Sequence, residues 1–238
     1  MTEVKHTLTA FIHGESKVGK SWLGASSPTP RLILDAEGRA KYTPGRKVTW
    51  DPIRYAPPEN DGTWDTCIVP VTEFDTIQQV FNWLASGQHP FTSFVLDSIM
   101  EAQKRVIDKI AGASQLQTQD WGEVLRRLES LVRAFRDLAL VESNPLKVVV
   151  FISGTRNVDG VQRPLLQGQF RDTVPYYMDL CGYLYSTPTP DQQDVVRYLL
   201  TQSRPGFVAG DGTDTFAHVI ENPNMSAMYE QIIQKEEA

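Results

Sequence analysis

FIHGESKVGKSWL, residues 11–23, sets an apolar run against a glycine, four varied residues, Gly-Lys-Ser and a second apolar run. Gly14-Glu15-Ser16-Lys17-Val18-Gly19-Lys20-Ser21 matches G-x-x-x-x-G-K-[ST] in full. Small glycines let the backbone wrap a phosphate. The loop N–H groups then point inward, at the positive end of the following helix. Lys20 is placed to reach the β- and γ-phosphates, and the Ser21 hydroxyl to coordinate a Mg²⁺ that bridges phosphate oxygens. The expected ligand is ATP with Mg²⁺, cradled by residues 14–21.

Outward from this loop, strands alternate with helices. HTLTAFIH (6–13) reads as a buried strand, KSWLGAS (20–26) as a short helix and RLILD (31–35) as a second strand. Residues 38–66 are rich in Pro, Gly, Asp and Tyr and read as a loop-rich insertion, with short strands near Val48 and Ile68. TEFDTIQQVFNWLAS (72–86) has helical spacing, with Thr72 as N-cap candidate; FTSFVLD (91–97) is a strand and SIMEAQKRVIDKIA (98–111) a helix. QDWGEVLRRLESLVRAFRDLALV (119–141) is the clearest helix, with Trp121, Val124, Leu128, Val132, Phe135 and Leu138 on one stripe. LKVVVFIS (146–153) is a strand buried on both faces, and 154–173 a polar loop. Late strands are expected at 181–186, 194–202 and 215–220, and a last helix at 224–235. The expected fold class is α/β, a mostly parallel central sheet flanked by helices with late antiparallel strands, in a single domain over 1–238.

The 238 residues are 41% hydrophobic and 22% charged, ordinary for a globular chain. No stretch approaches the ~20 apolar residues of a bilayer span. Met1 to Lys5 lack the basic start and apolar core of a secretory signal, so a cytoplasmic location is expected. Cys67 and Cys181 stand in no metal spacing and read as reduced thiols. A net charge of −6 argues against a generally basic nucleic-acid coat. A local basic patch can still bind phosphate.

Phe94-Val95-Leu96-Asp97 is an apolar strand tipped with an acid, the Walker B pattern. Asp97 would hold the magnesium through water, together with Ser21. Its alternative use is to cap the helix that starts at Ser98.

The strand after the first helix ends Asp35-Ala36-Glu37. This resembles the RecA-like recombinase ATPases, in which an Asp-Ala-Glu at that point carries the catalytic glutamate. FVLDSI (94–99) and VVVFISGTR (148–156) resemble the Walker B strand and the strand leading to the phosphate sensor and DNA-binding loop. The similarity is closer to small phage-encoded RecA-like ATPases of the AAA type, proposed as single-strand annealing or recombination proteins, which share the Asp-Ala-Glu-Gly step and a segment like Pro175 to Asp179. The resemblance implies that Glu37 activates the attacking water. The sequence departs from RecA at the sensor: Gly154 stands where RecA has glutamine, leaving Ser153, Thr155 or Arg156 to sense the γ-phosphate.

In the 154–173 segment, Arg156, Arg163 and Arg171 stand among Gln162, Gln167, Gln169 and Phe170, a mixture that suits the phosphates and bases of single-stranded DNA. Arg39, Lys41, Arg46 and Lys47 form a second basic cluster. TQSRPGF (201–207) resembles an element of the bacterial RadA relatives that reaches a neighbouring subunit's ATP, and this makes Arg204 a candidate finger in trans. The resemblance further implies a homo-oligomer, ring or filament, working in the host cytoplasm.

The expected function is therefore a Mg-ATP-dependent ATPase that binds single-stranded DNA in phage recombination or annealing. The alternative is a nucleotide-switched protein that recruits single-strand-binding or replication proteins without gripping DNA. A small-molecule kinase is disfavoured, because no lid with an arginine-rich pattern is visible.

Overall fold

The computed structural model describes residues 5–112, 116–118, 120–191 and 193–236. Residues 1–4, and Gln119 at the expected start of the long helix, lie outside the described residues. β1 (Leu8–Gly14) runs wholly buried into the phosphate loop, and α1 (Lys20–Gly24) leaves it. β2 (Arg31–Asp35), β3 (Lys47–Thr49), β4 (Thr66–Pro70), α2 (Phe74–Ala85), β5 (Ser93–Asp97), α3 (Ile99–Ala111) and α4 (Asp120–Leu140) follow. β6 (Val148–Val158) and β7 (Val161–Pro164) form a hairpin, and the short helix α5 (Phe170–Thr173) comes after it. β8 (Leu180–Pro188), β9 (Val195–Leu200), β10 (Gly210–Asp211), β11 (Val219–Glu221) and α6 (Met225–Glu236) complete the order.

The sheet order is β11–β9–β8–β1–β6–β5–β2–β4–β3. Every pair from β8 to β3 is parallel, whereas β9 and β11 add on antiparallel. The parallel strands are short apolar runs buried on both faces, as Val148-Val149-Val150-Phe151-Ile152 illustrates. Alternate residues feed two cores. Phe11, Phe94, Phe151 and Val149 pack under α2, α3 and α4, while Ile12, Val95, Val150 and Ile152 pack under α1 and α6. Phe135 of α4 stacks on Phe94 with centroids 4.2 Å apart. Burying one such ring contributes roughly 1.5–3 kcal/mol.

Of the late strands, β8 joins the sheet parallel to β1, and β9 and β11 then add on antiparallel, as expected. Of the expected strand 215–220 only its end pairs, as Val219–Glu221. Asp211 accepts the N–H groups of Thr213, Thr215 and Phe216 and holds that stretch as a turn. Thr72 does not cap α2; Glu73 occupies that position. Trp121 leaves the expected stripe of α4 and is 39% exposed, because it meets an open groove beside Gln103 and Arg156 instead of the sheet. Within the loop-rich 38–66 segment, Trp50 and Trp64 are buried in the main core, against Trp83 and Phe91.

The polar stretch 154–173 is not one loop. β6 continues to Val158, turns through Asp159 and Gly160, and returns as β7. Both turn residues have positive φ, as a two-residue hairpin requires. Phe170 is fully buried in the core under α4, so its ring is not available to stack on a base. Among the described residues, no helix is long and apolar enough to cross a membrane.

Candidate functional site

The phosphate loop lies at the C-terminal edge of the parallel strands. Its two glycines have separate reasons. A Cβ on Gly14 would lie 2.2 Å from the Leu184 carbonyl oxygen, because β8 passes directly against β1 there. Gly19 takes φ 102°, a conformation glycine adopts at little cost. Glu15, Ser16 and Lys17 are exposed, while Val18 is buried and fastens the loop to the core. Lys20 donates from Nζ to the carbonyls of Gly14 (3.0 Å) and Glu15 (2.6 Å). Burial lowers its pKa; the charges of Asp97 and Glu37 oppose that shift.

Parallel register sets Asp35 beside Asp97 at the ends of β2 and β5. The two carboxylates have different uses. Asp35 accepts the N–H groups of Arg39 and Ala40, both at 3.0 Å, and so fixes the turn that carries Glu37. Asp97 is only 3% exposed, and the nearby Ser21 hydroxyl favours its charged form. Glu37 reaches across from β2: its Oε1 accepts the Ser98 hydroxyl at 2.7 Å, and its Oε2 lies 3.5 Å from Arg39. Lys20, Ser21, Glu37, Arg39, Asp97, Gly154 and Thr155 therefore line one cleft of about 450 Å³.

Burial pushes the Asp97 carboxyl up to about 6, with Glu37 and Asp35 adding to the shift. Two further carboxylates around a buried acid and a hydroxyl make an oxygen-rich corner that suits a hard divalent cation. Among the described residues no cluster of three or more His, Cys, Asp or Glu could hold a metal by itself. A Mg²⁺ that shares phosphate oxygens needs only one or two protein ligands, so Ser21 and Asp97 fit it.

The raised Asp97 pKa carries a stability consequence. The folded state holds the Asp97 proton more tightly than the unfolded chain does, so ionising Asp97 costs stability. That cost is absent below about pH 4 and complete above about pH 6. Its size is on the order of 3 kcal/mol. Asp97→Asn is therefore expected to raise the melting temperature of the nucleotide-free protein at pH 8 by several degrees, with the gain shrinking to nothing as pH falls to 4. Thermal unfolding across that range measures it; a gain that does not depend on pH contradicts the assignment.

The remaining sequence-predicted residues divide. Thr155 reaches the cleft, but its hydroxyl lies within reach of two acceptors that compete for its one proton, the Arg163 carbonyl (3.0 Å) and His13 Nδ1 (3.3 Å). Ser153 is fully buried and its hydroxyl has no partner. Arg156 leaves the cleft and lines the neighbouring groove of about 540 Å³, with Trp121, Gln103, Gln167 and Gln169. Arg163 and Arg171 both pair with Asp172, at 2.9 and 3.3 Å. Arg204 is exposed, stands over the Phe207 ring and lies outside the cleft.

Three residues at or beside the site escape sequence reasoning. Asp35 is one. His13 is another: it is fully buried, held neutral with its pKa near 4 by burial, and donates from Nε2 to the Val208 carbonyl at 2.7 Å. Arg197 of β9 is the third, and no motif marks it.

A G-x-x-x-x-G-K-S loop after β1, an acid ending β5, an acid beyond β2 and the strand β6 set between β1 and β5 bring the P-loop motif residues together at one edge of a mostly parallel α/β sheet. The chain belongs to the AAA domain family, which matches residues 6–213. The sequence matches no curated protein. Among solved structures, the chain is similar to an ATPase of the type III secretion system of pathogenic bacteria, with a TM-score of 0.49 and 13% identity over 78% of this chain and 53% of the other. It thus spans about half the length of that protein. It is also similar to the flagellar accessory protein FlaH of Methanocaldococcus jannaschii (TM-score 0.48, 11% identity, 94% and 89% covered). A KaiC-like protein of Pyrococcus horikoshii is a third (TM-score 0.44, 15% identity, 91% and 90% covered).

Proposed function

We propose that this protein is a Mg-dependent ATPase that uses hydrolysis to control its grip on single-stranded DNA, in recombination or strand annealing of the phage type. The observation that carries the catalytic half is Glu37. Its carboxylate accepts the Ser98 hydroxyl and lines the same cleft as Lys20 and Asp97. In this reading the loop N–H groups and Lys20 bind the phosphates and absorb charge as the γ-phosphoryl departs. Ser21, with Asp97 through water, would hold a Mg²⁺, which would supply further charge neutralisation. Glu37 orients the attacking water and takes its proton, while Asp35 positions Glu37 through the turn at Arg39 and Ala40.

The DNA half rests on β6. Gly154 and Thr155 line the nucleotide cleft, and the next residue, Arg156, lines the adjoining groove. Arg156 Nε is buried without a hydrogen-bond partner. We infer that this groove takes a single strand, with Trp121 supplying the stacking ring that buried Phe170 does not. Arg163 and Arg171 line a separate groove with Asp172, which pairs with both, so their part in holding the strand is secondary. Arg204, exposed and outside its own cleft, would serve a neighbouring copy in a homo-oligomer in the cytoplasm. Fluorescence anisotropy of a labelled single strand tests the DNA half. Binding is expected to tighten at least tenfold with a nonhydrolysable ATP analogue relative to ADP, and to weaken in Arg156→Gln. Equal, salt-insensitive signals in both nucleotide states would remove DNA from the account.

One observation favours a second reading, recruitment of replication proteins without a DNA grip. Two of the three arginines assigned to DNA are already paired with an acid, on a chain of net charge −6.

A further inference from the structure

β9 lies two strands from the phosphate loop, yet one of its side chains touches that loop. Arg197 donates from Nε to the Val18 carbonyl at 3.2 Å. A Cβ on Gly19 would lie 2.4 Å from the same nitrogen, so the guanidinium rests directly on the Gly19 Cα. Arg197 points this way because it shares a strand face with Leu199, which packs in the core under α1. Its main chain is fixed from the other side: its carbonyl accepts the N–H of Asn222 at 2.7 Å. Among the described residues no carboxylate lies within ion-pair distance of Arg197. An uncompensated guanidinium thus lines the cleft beside Lys17, Gly19 and Lys20, with one N–H spent on Val18.

We propose that Arg197 binds the phosphate chain of the nucleotide within its own subunit, as a further cation beside Lys20 on the β9 side of the loop. The guanidinium is a planar fork that can hold the Val18 carbonyl with one N–H and offer others to a phosphate oxygen. The charge has no protein partner to leave when a phosphate arrives. The contact also ties nucleotide binding to the β8–β9 hairpin, which carries no part of the sequence motif. This inference rests on the nucleotide-site reading above.

The test is titration of the purified full chain with a fluorescent ATP analogue in Mg²⁺, for wild type, Lys20→Ala, Arg197→Gln and Arg197→Lys. Glutamine can still donate to the Val18 carbonyl but carries no charge; lysine keeps the charge. Arg197→Gln is expected to weaken binding about tenfold or more, a typical loss for a charge-assisted hydrogen bond, and Arg197→Lys to recover part of it. Unfolding of the nucleotide-free variants near the wild-type temperature confirms the fold. Wild-type affinity in Arg197→Gln, or equal losses in Gln and Lys, would show a loop clamp and overturn the proposal. A wild type that binds no nucleotide would instead overturn the site itself.

Discussion

Lys20→Ala is expected to abolish measurable ATP turnover while leaving the protein folded. Among the described residues, Lys20 donates its hydrogen bonds to the carbonyls of Gly14 and Glu15, within its own loop. Burial lowers its pKa, so its charge is held at some cost, offset by Asp97 and Glu37. Removing the ammonium therefore takes little from stability. It takes from the site the one cation that the loop motif directs at the transferred phosphoryl group. Losing a single preorganised donor of this kind costs on the order of 10²–10³ in rate, and weaker Mg-ATP binding adds to that. Steady-state hydrolysis with thermal unfolding as control measures both. Turnover near wild type in a folded variant contradicts the site.

Glu37→Gln is expected to separate binding from chemistry. Glutamine keeps the shape and can still accept the Ser98 hydroxyl through its carbonyl, so the nucleotide should bind with near wild-type affinity. It cannot take a proton from water at neutral pH. The expected loss in kcat is roughly 10²–10⁴-fold with KM little changed. A variant that hydrolyses normally would mean that another group orients the water. Equal losses in kcat and affinity would place Glu37 among the binding groups. Asp35→Asn makes a useful companion, because it loosens the turn at Arg39 and Ala40 without touching the cleft's own carboxylate.

The linear parts of this site were legible in the sequence and the long-range parts were not. Gly14 to Ser21 is contiguous and chemically specific; Asp97 ends an apolar strand and Glu37 follows another by two residues, and any parallel sheet would align the two strand ends at one edge. The alternation of strands and helices announced that sheet. Arg197 could not be read this way. It reaches the loop because β9 folds back on β8 in the register that sets Arg197 opposite Ser186, and no local pattern dictates that register. Phe170 was misplaced for a related reason: among arginines and glutamines it reads as exposed, but its short helix turns that single ring into the core. The hairpin within 154–173 was readable, since Asp159-Gly160 is a strong two-residue turn signal. The polarity of the surrounding residues masked it. Trp121 fits a helical stripe by spacing, and only the groove beside Arg156 shows that its face is open.

The most direct test of the account is the rate of Mg-ATP hydrolysis by the purified wild-type chain with and without single-stranded DNA, at low and moderate salt. The account predicts hydrolysis that needs Mg²⁺, rises several-fold on adding single-stranded DNA, and loses that stimulation as salt rises and phosphate contacts are screened. A Mg-dependent rate that ignores DNA would keep the ATPase and assign it to a protein partner. No hydrolysis under either condition would contradict the central claim.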